Sequence, residues 1–157
     1  MLDETASGVF TIACTPFLPD GTLDEPSIDR MVDFYVEKGA TGLTILGMMG
    51  EAGKLTAEES VTVVRRVCAR TDLPVILCGD LNDIPQSYTY HLLNRRLQDT
   101  FRQKGSGLST TYAGKIPGLR IDYVLVSPEL AVRDFHTGRR SFSDHRPVWS
   151  KLQIPAR

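Results

Sequence analysis

Three places in the chain hold side chains able to do chemistry. They are Asp80 and Asn82, just past the apolar run Pro74 to Cys78; Asp122, inside Ile121-Asp122-Tyr123-Val124; and the neighbours Asp144 and His145. Taken alone, Asp80 and Asn82 are residue types that form turns and caps after a strand. Asp122 fits that explanation poorly. A carboxylate within an apolar strand is costly to bury unless it is paired or takes part in chemistry, so charge pairing or proton handling is expected there. Other reactive groups fit less well. Cys14, Cys68 and Cys78 lie far apart among apolar residues, without the spacing of a metal-thiolate site, and are expected to be buried thiols of a reducing compartment. Gly105-Ser106-Gly107 follows a helical segment instead of opening one, which predicts a helix stop and not a phosphate cradle. His91 and His136 stand in ordinary helix and strand contexts and are expected to be surface or structural residues.

The elements that would position these residues change character part-way along. Val9 to Thr15 and Thr41 to Leu46 are apolar runs without strict alternation, as in buried parallel strands. Between them Ile28, Met31, Val32, Tyr35 and Val36 keep helical spacing, with Pro26 suited to the first turn and Gly39 to the stop. Thr56 followed by Glu59 makes a capping box for a second helix, whose apolar stripe is Val61, Val64, Val67 and Cys68. A third strand, Pro74 to Cys78, puts Asp80 on the rim where the strand ends of a parallel sheet carry function. Beyond Asn82 the pattern becomes a helix, Ser87 to Leu97, followed by strand-like runs at Ser109 to Tyr112, Ile121 to Val126, Ala131 to Phe135 and Val148 to Ile154. Those runs favour antiparallel pairing. The fold class expected is α/β, a parallel β-α-β-α-β start continuing into a mixed or antiparallel sheet.

Composition sets outer bounds. The 157 residues carry 18 basic and 19 acidic side chains, so no global field would hold a nucleic acid or an anionic membrane surface. The cluster Arg133, Arg139, Arg140 and Arg146 predicts a solvated face rather than a nucleic-acid stripe. Met1 to Ser7 lack a basic or apolar leader pattern and no later stretch approaches a membrane span, so a cytoplasmic location is expected.

Two family resemblances divide the chain. Gly8 to Phe17, then Asp20-Gly21, Leu23-Asp24, Gly47-Met48-Met49-Gly50-Glu51 and Leu55 to Glu59 resemble the start of the dihydrodipicolinate synthase and N-acetylneuraminate lyase family. That resemblance covers residues 1–73, almost half the chain, and implies the beginning of a (β/α)₈ barrel. The family's Schiff-base lysine comes late in the barrel. None of Lys38, Lys54, Lys104, Lys115 or Lys151 sits in a matching motif, and Met48-Met49 replace a pair of hydroxyl residues. Lyase activity is therefore not expected, and Thr15 and the Gly47 to Glu51 loop are expected to be structural turns.

From Pro74 onward the motifs change family. Gly79-Asp80-Leu81-Asn82-Asp83, Ser87, Tyr90, Leu97 to Phe101, Thr111-Tyr112, Arg120-Ile121-Asp122-Tyr123 and Ser143-Asp144-His145-Arg146-Pro147-Val148 resemble the C-terminal half of the endonuclease/exonuclease/phosphatase superfamily. The resemblance implies a metal-dependent phosphoric ester hydrolase. In it Asp80 positions or deprotonates a water, Asn82 and His145 donate to the phosphate, Asp122 holds His145 in the correct tautomer, and Asp144 ligates Mg²⁺ or Mn²⁺. The superfamily's N-terminal half, with its metal-binding glutamate, has no counterpart in residues 1–73, so weak metal binding and little or no turnover are expected.

The expected organisation is one compact unit, 1–73 and 74–157, joined at the strand 74–79, with self-association through uncovered faces. Three rivals to a partial phosphodiesterase site are a non-catalytic scaffold of joined fragments, a remnant lyase segment, and a rearranged chain that does not fold.

Overall fold

The computed structural model describes residues 8–139 and 143–154. Among them the elements run β1 (Phe10–Ile12), α1 (Glu25–Glu37), β2 (Gly42–Ile45), α2 (Ala57–Arg70), β3 (Val75–Asp80), α3 (Tyr88–Leu93), β4 (Gln98–Asp99), α4 (Thr100–Lys104), β5 (Asp122–Val126), β6 (Ala131–Thr137) and β7 (Val148–Gln153). Two short 3₁₀ turns, Met48–Gly50 and Ala52–Lys54, precede α2.

The helix starts are set by local chemistry. Asp24 accepts the Ser27 amide hydrogen at 3.0 Å, Pro26 sits in the first turn of α1, and Gly39 at φ +81° lets the chain leave it. At α2 the capping box forms as expected: Glu59 N donates to Thr56 Oγ1 at 3.2 Å, and Thr56 N donates to the Glu59 carboxylate at 2.8 Å. The two helices also grip each other through charge. Arg66 pairs with Asp29 and Glu25, and Arg70 with Asp33, so acids spaced by four on α1 meet arginines spaced by four on α2.

Five strands form one sheet in the order β1-β2-β3-β5-β4. It is parallel through β1, β2 and β3, then antiparallel at β3-β5 and β5-β4; β6 and β7 form a separate hairpin. This is the mixed α/β fold with a parallel start that the sequence implies. One hydrophobic cluster crosses the change of pattern. It takes Ile28, Val32, Leu43, Ile45, Val63, Val64 and Val67 from the first part and Leu77, Tyr90, Leu93, Leu97, Tyr123 and Leu125 from the second. A smaller cluster, Val126, Leu130 and Val132 with Ile76, Val124 and Leu152 against it, seats the β6-β7 hairpin on the sheet.

Several local expectations change. The run Ser109 to Tyr112 is not a strand; its one pairing is an isolated bridge between Tyr112 and His145, because its backbone bonds go to Leu119 and Arg146. The helix expected over Ser87 to Leu97 ends at Leu93, and Asp99, capping the Phe101 amide, starts the separate short helix α4, which Gly105 stops. Val63 rather than Val61 lies in the buried stripe of α2, and Val36 on α1 is exposed. The cysteines are free, but Cys14 is exposed because it follows the edge strand β1, which has a neighbour on one side only. Cys68 is half-buried, and that burial pushes its thiol up to about 11. Among the described residues no helix is long and apolar enough to cross a membrane.

Candidate active site

The site grows from the meeting of β3 and β5. The antiparallel register sets Asp80, the last residue of β3, directly opposite Asp122, the first residue of β5. Residues directly across such a pair lie about 5 Å apart at Cα, so the two carboxylates share one end of the sheet by register alone. Leu81 N continues the pairing by donating to Ile121 O at 2.9 Å.

Past Asp80 the chain turns sharply. Asn82 adopts a left-handed φ of +50°, which asparagine tolerates better than most side chains, and its amide donates to Asp80 Oδ1 at 2.8 Å. That bond fixes the Asp80 carboxylate and makes the turn the residue types suggested. Tyr123, buried, anchors the far side of the turn, its hydroxyl lying 2.8 Å from Asp83 O and 2.9 Å from Arg120 O.

His145 arrives from the segment before β7. Its Nδ1 lies 2.9 Å from Asp122 Oδ2 and 3.2 Å from Oδ1, while Nε2 lies 3.9 Å from Asp80 Oδ2. With Nδ1–H given to Asp122, Nε2 is the nitrogen turned towards Asp80. The hydrogen bond that His145 donates to Asp122 raises the His145 pKa above the ordinary imidazole value. Partial desolvation opposes this, and the charges of Asp122, Asp80 and Asp144 add to it. The Tyr112 ring meets the imidazole edge-on with centroids 5.5 Å apart.

Asp80, Asp122 and His145 bring ligand atoms within 4.8 Å of one another, the one grouping of this kind among the described residues. Asp144 stands outside it. Its side chain is exposed and acts on His145 through charge, while its carbonyl accepts from Ala113 N at 2.7 Å. Asn82 is exposed at the rim. Two carboxylates with an imidazole engaged by one of them offer few free oxygens. Mg²⁺ commonly binds through one or two carboxylates while keeping waters and taking substrate phosphate oxygens, so the donor set fits a loosely held cation of that kind.

Beneath the rim lies a buried ion pair to which the sequence alone assigned no role. Arg120, 5% exposed, meets Asp99, 2% exposed, at 2.8 Å, and Tyr90 donates its hydroxyl to the same Asp99 oxygen at 2.6 Å. The guanidinium lies 4.6 Å from the Tyr123 ring centroid and 4.7 Å from that of Phe101. The sequence offered only a weak signal for this pair, Arg120 standing next to the apolar run that opens at Ile121. Of the basic cluster, Arg133 bonds Gln153 across the hairpin and Arg146 buries its Nε without a hydrogen-bond partner; Arg140 lies outside the described residues.

The model of the endonuclease/exonuclease/phosphatase family matches residues 16–145, most of the chain. The chain belongs to the endonuclease/exonuclease/phosphatase family. Members of this family typically depend on a divalent metal. A solved endonuclease/exonuclease/phosphatase from Bacteroides vulgatus aligns with 64% of this chain and 46% of its own, at a TM-score of 0.55 and 18% identity, a likeness of fold.

The other resemblance is also found. The 4-hydroxy-tetrahydrodipicolinate synthase of Laribacter hongkongensis is 39% identical over 64 residues, 41% of this chain and 22% of the synthase. That of Anaplasma marginale strain Florida is 43% identical over 65 residues. The dihydrodipicolinate synthase structure from Rhodopseudomonas palustris is 49% identical over 46% of this chain and 24% of its own, at a TM-score of 0.44. The chain spans about a quarter of the length of these synthases. An endonuclease/exonuclease/phosphatase chain thus also resembles the synthases over nearly half its length.

Proposed function

We propose that the chain is a chimera in which a synthase-like segment, residues 1–73, is joined at β3 to the C-terminal half of an endonuclease/exonuclease/phosphatase domain, residues 74–157, which carries a partial site for hydrolysing phosphate esters. The observation that supports this reading most is the convergence of Asp80, Asp122 and His145, with His145 Nδ1 2.9 Å from Asp122. Asp122 orients the imidazole and stabilises its charged form. His145, through Nε2, and Asn82, through its side-chain amide, donate to a phosphate oxygen, and Asp80 holds the attacking water or accepts its proton. Asp144, at the rim outside that grouping, is the carboxylate that the family resemblance assigns to hold Mg²⁺ or Mn²⁺; such an ion, when bound, would neutralise phosphate charge and lower the pKa of water. The family match reaches into residues 16–73, but no glutamate there stands in the motif of the family's metal ligand, so turnover is expected to be slow.

The test is hydrolysis of an aryl phosphodiester with Mg²⁺ or Mn²⁺ by the wild type, Asp80→Ala and His145→Ala. Metal-dependent turnover that drops at least about a hundredfold in both variants is the expected result, the scale of losing a positioned acid or base. No turnover from a cooperatively folded wild type would replace this reading with the non-catalytic scaffold.

A further inference from the structure

Thr111 and Tyr112 lie between the site's two halves, in a segment that is neither helix nor strand. Thr111 is fully buried, and its polar groups converge on the catalytic neighbourhood. Its Oγ1 accepts from Ile121 N at 3.0 Å and from Asp122 N at 3.1 Å, engaging the acceptor capacity of a hydroxyl on the two residues that open β5. Its carbonyl accepts from Arg146 N at 2.7 Å, the residue after His145. On either side of that contact, Tyr112 bridges His145 and Ala113 N donates to Asp144 O.

We propose that Thr111 is a positioning residue of this site: its hydroxyl fixes the backbone that carries Asp122 and its carbonyl fixes the backbone that carries His145. The inference rests on the proposed phosphate-ester site for its functional meaning, not for its geometry. A strand at this position would spend these groups on a regular ladder. The irregular segment instead lets one residue tie together two chain segments that reach the dyad from opposite directions. An imidazole and a carboxylate 23 residues apart in sequence keep a 2.9 Å contact only if both backbones are held, and displacements of about 1 Å in such sites cost catalysis about a hundredfold.

The test needs no substrate. In ¹⁵N-edited NMR of the wild type, the His145 Nδ1–H donated to Asp122 is expected as a downfield, slowly exchanging signal. Thr111→Val keeps the side chain's shape and removes the acceptor, and is expected to lose that signal; Thr111→Ser, which keeps the hydroxyl, is expected to retain it. Thr100→Val is the control for losing any buried hydroxyl, because Thr100 is equally buried and its Oγ1 donates to Val124 O in the same strand at 2.9 Å. It too is expected to retain the signal. The proposal is overturned if Thr111→Val keeps the signal, if Thr111→Ser loses it, or if Thr100→Val loses it as well. Should Thr111→Val not fold, amide exchange in the wild type decides: Ile121 and Asp122 amides protected from exchange support the clamp, and amides exchanging like exposed ones overturn it. Failure to hydrolyse any ester would remove the proposed activity and leave these outcomes readable.

Discussion

An imidazole that gives one N–H to a carboxylate holds its second proton more tightly than a free imidazole does. His145 is in that position, its pKa raised above the ordinary value of 6.5 chiefly by the Asp122 hydrogen bond. Because the folded value lies above the unfolded one, the extra stability is fully present below the unfolded pKa and is lost as pH rises through the folded pKa. Both side chains are partly exposed, so the coupling is of the surface-pair scale, about 1 kcal/mol or less. In urea denaturation without divalent metal, the stability lost by Asp122→Asn should therefore be larger at about pH 6 than at about pH 9. A penalty independent of pH would show that the two groups are not coupled in the folded state.

At the scale of elements, the supports of the site are local and separable. The capping box at α2 satisfies two amide donors that the helix geometry leaves without partners, and α2 in turn covers the sheet through Val63, Val64 and Val67. Thr56→Ala should lower unfolding stability by about 1 kcal/mol, measured by urea denaturation, and leave the Asp80-Asp122 register unchanged. The β3-β5 pair is less forgiving, since a slip of one residue would turn every side chain of β5 to the other face and carry Asp122 away from Asp80.

For the whole molecule the question is whether the synthase-like segment and the segment that follows it form one cooperative unit. The hydrophobic cluster runs without interruption from Leu43 on β2 to Leu125 on β5, and β3 pairs with a strand of each segment. The single tryptophan, Trp149, lies on β7, far along the chain from β2. Leu43→Ala, which truncates a side chain with no exposure, should cost about 2–5 kcal/mol and should shift the Trp149 fluorescence midpoint in urea as far as the far-UV circular dichroism midpoint. Midpoints that separate would mean that the segments fold independently.

The sequence by itself determined what depends on near neighbours and on residue type. Caps, periodicity and a carboxylate in an apolar strand leave local traces, and these disclosed the helix starts at Asp24-Pro26 and Thr56-Glu59, the parallel start of the sheet and Asp122, while Asp80 and His145 stood out through the motifs of the family resemblance. Tertiary structure alone decided what depends on contacts far apart in the chain. It set Asp80 against Asp122 through the β3-β5 register, left Asp144 at the exposed rim, closed Arg120 on Asp99, and turned the expected strand at Thr111 into an irregular clamp. These outcomes rest on which backbone and side-chain groups find partners when segments tens of residues apart meet, and no short stretch of sequence records that.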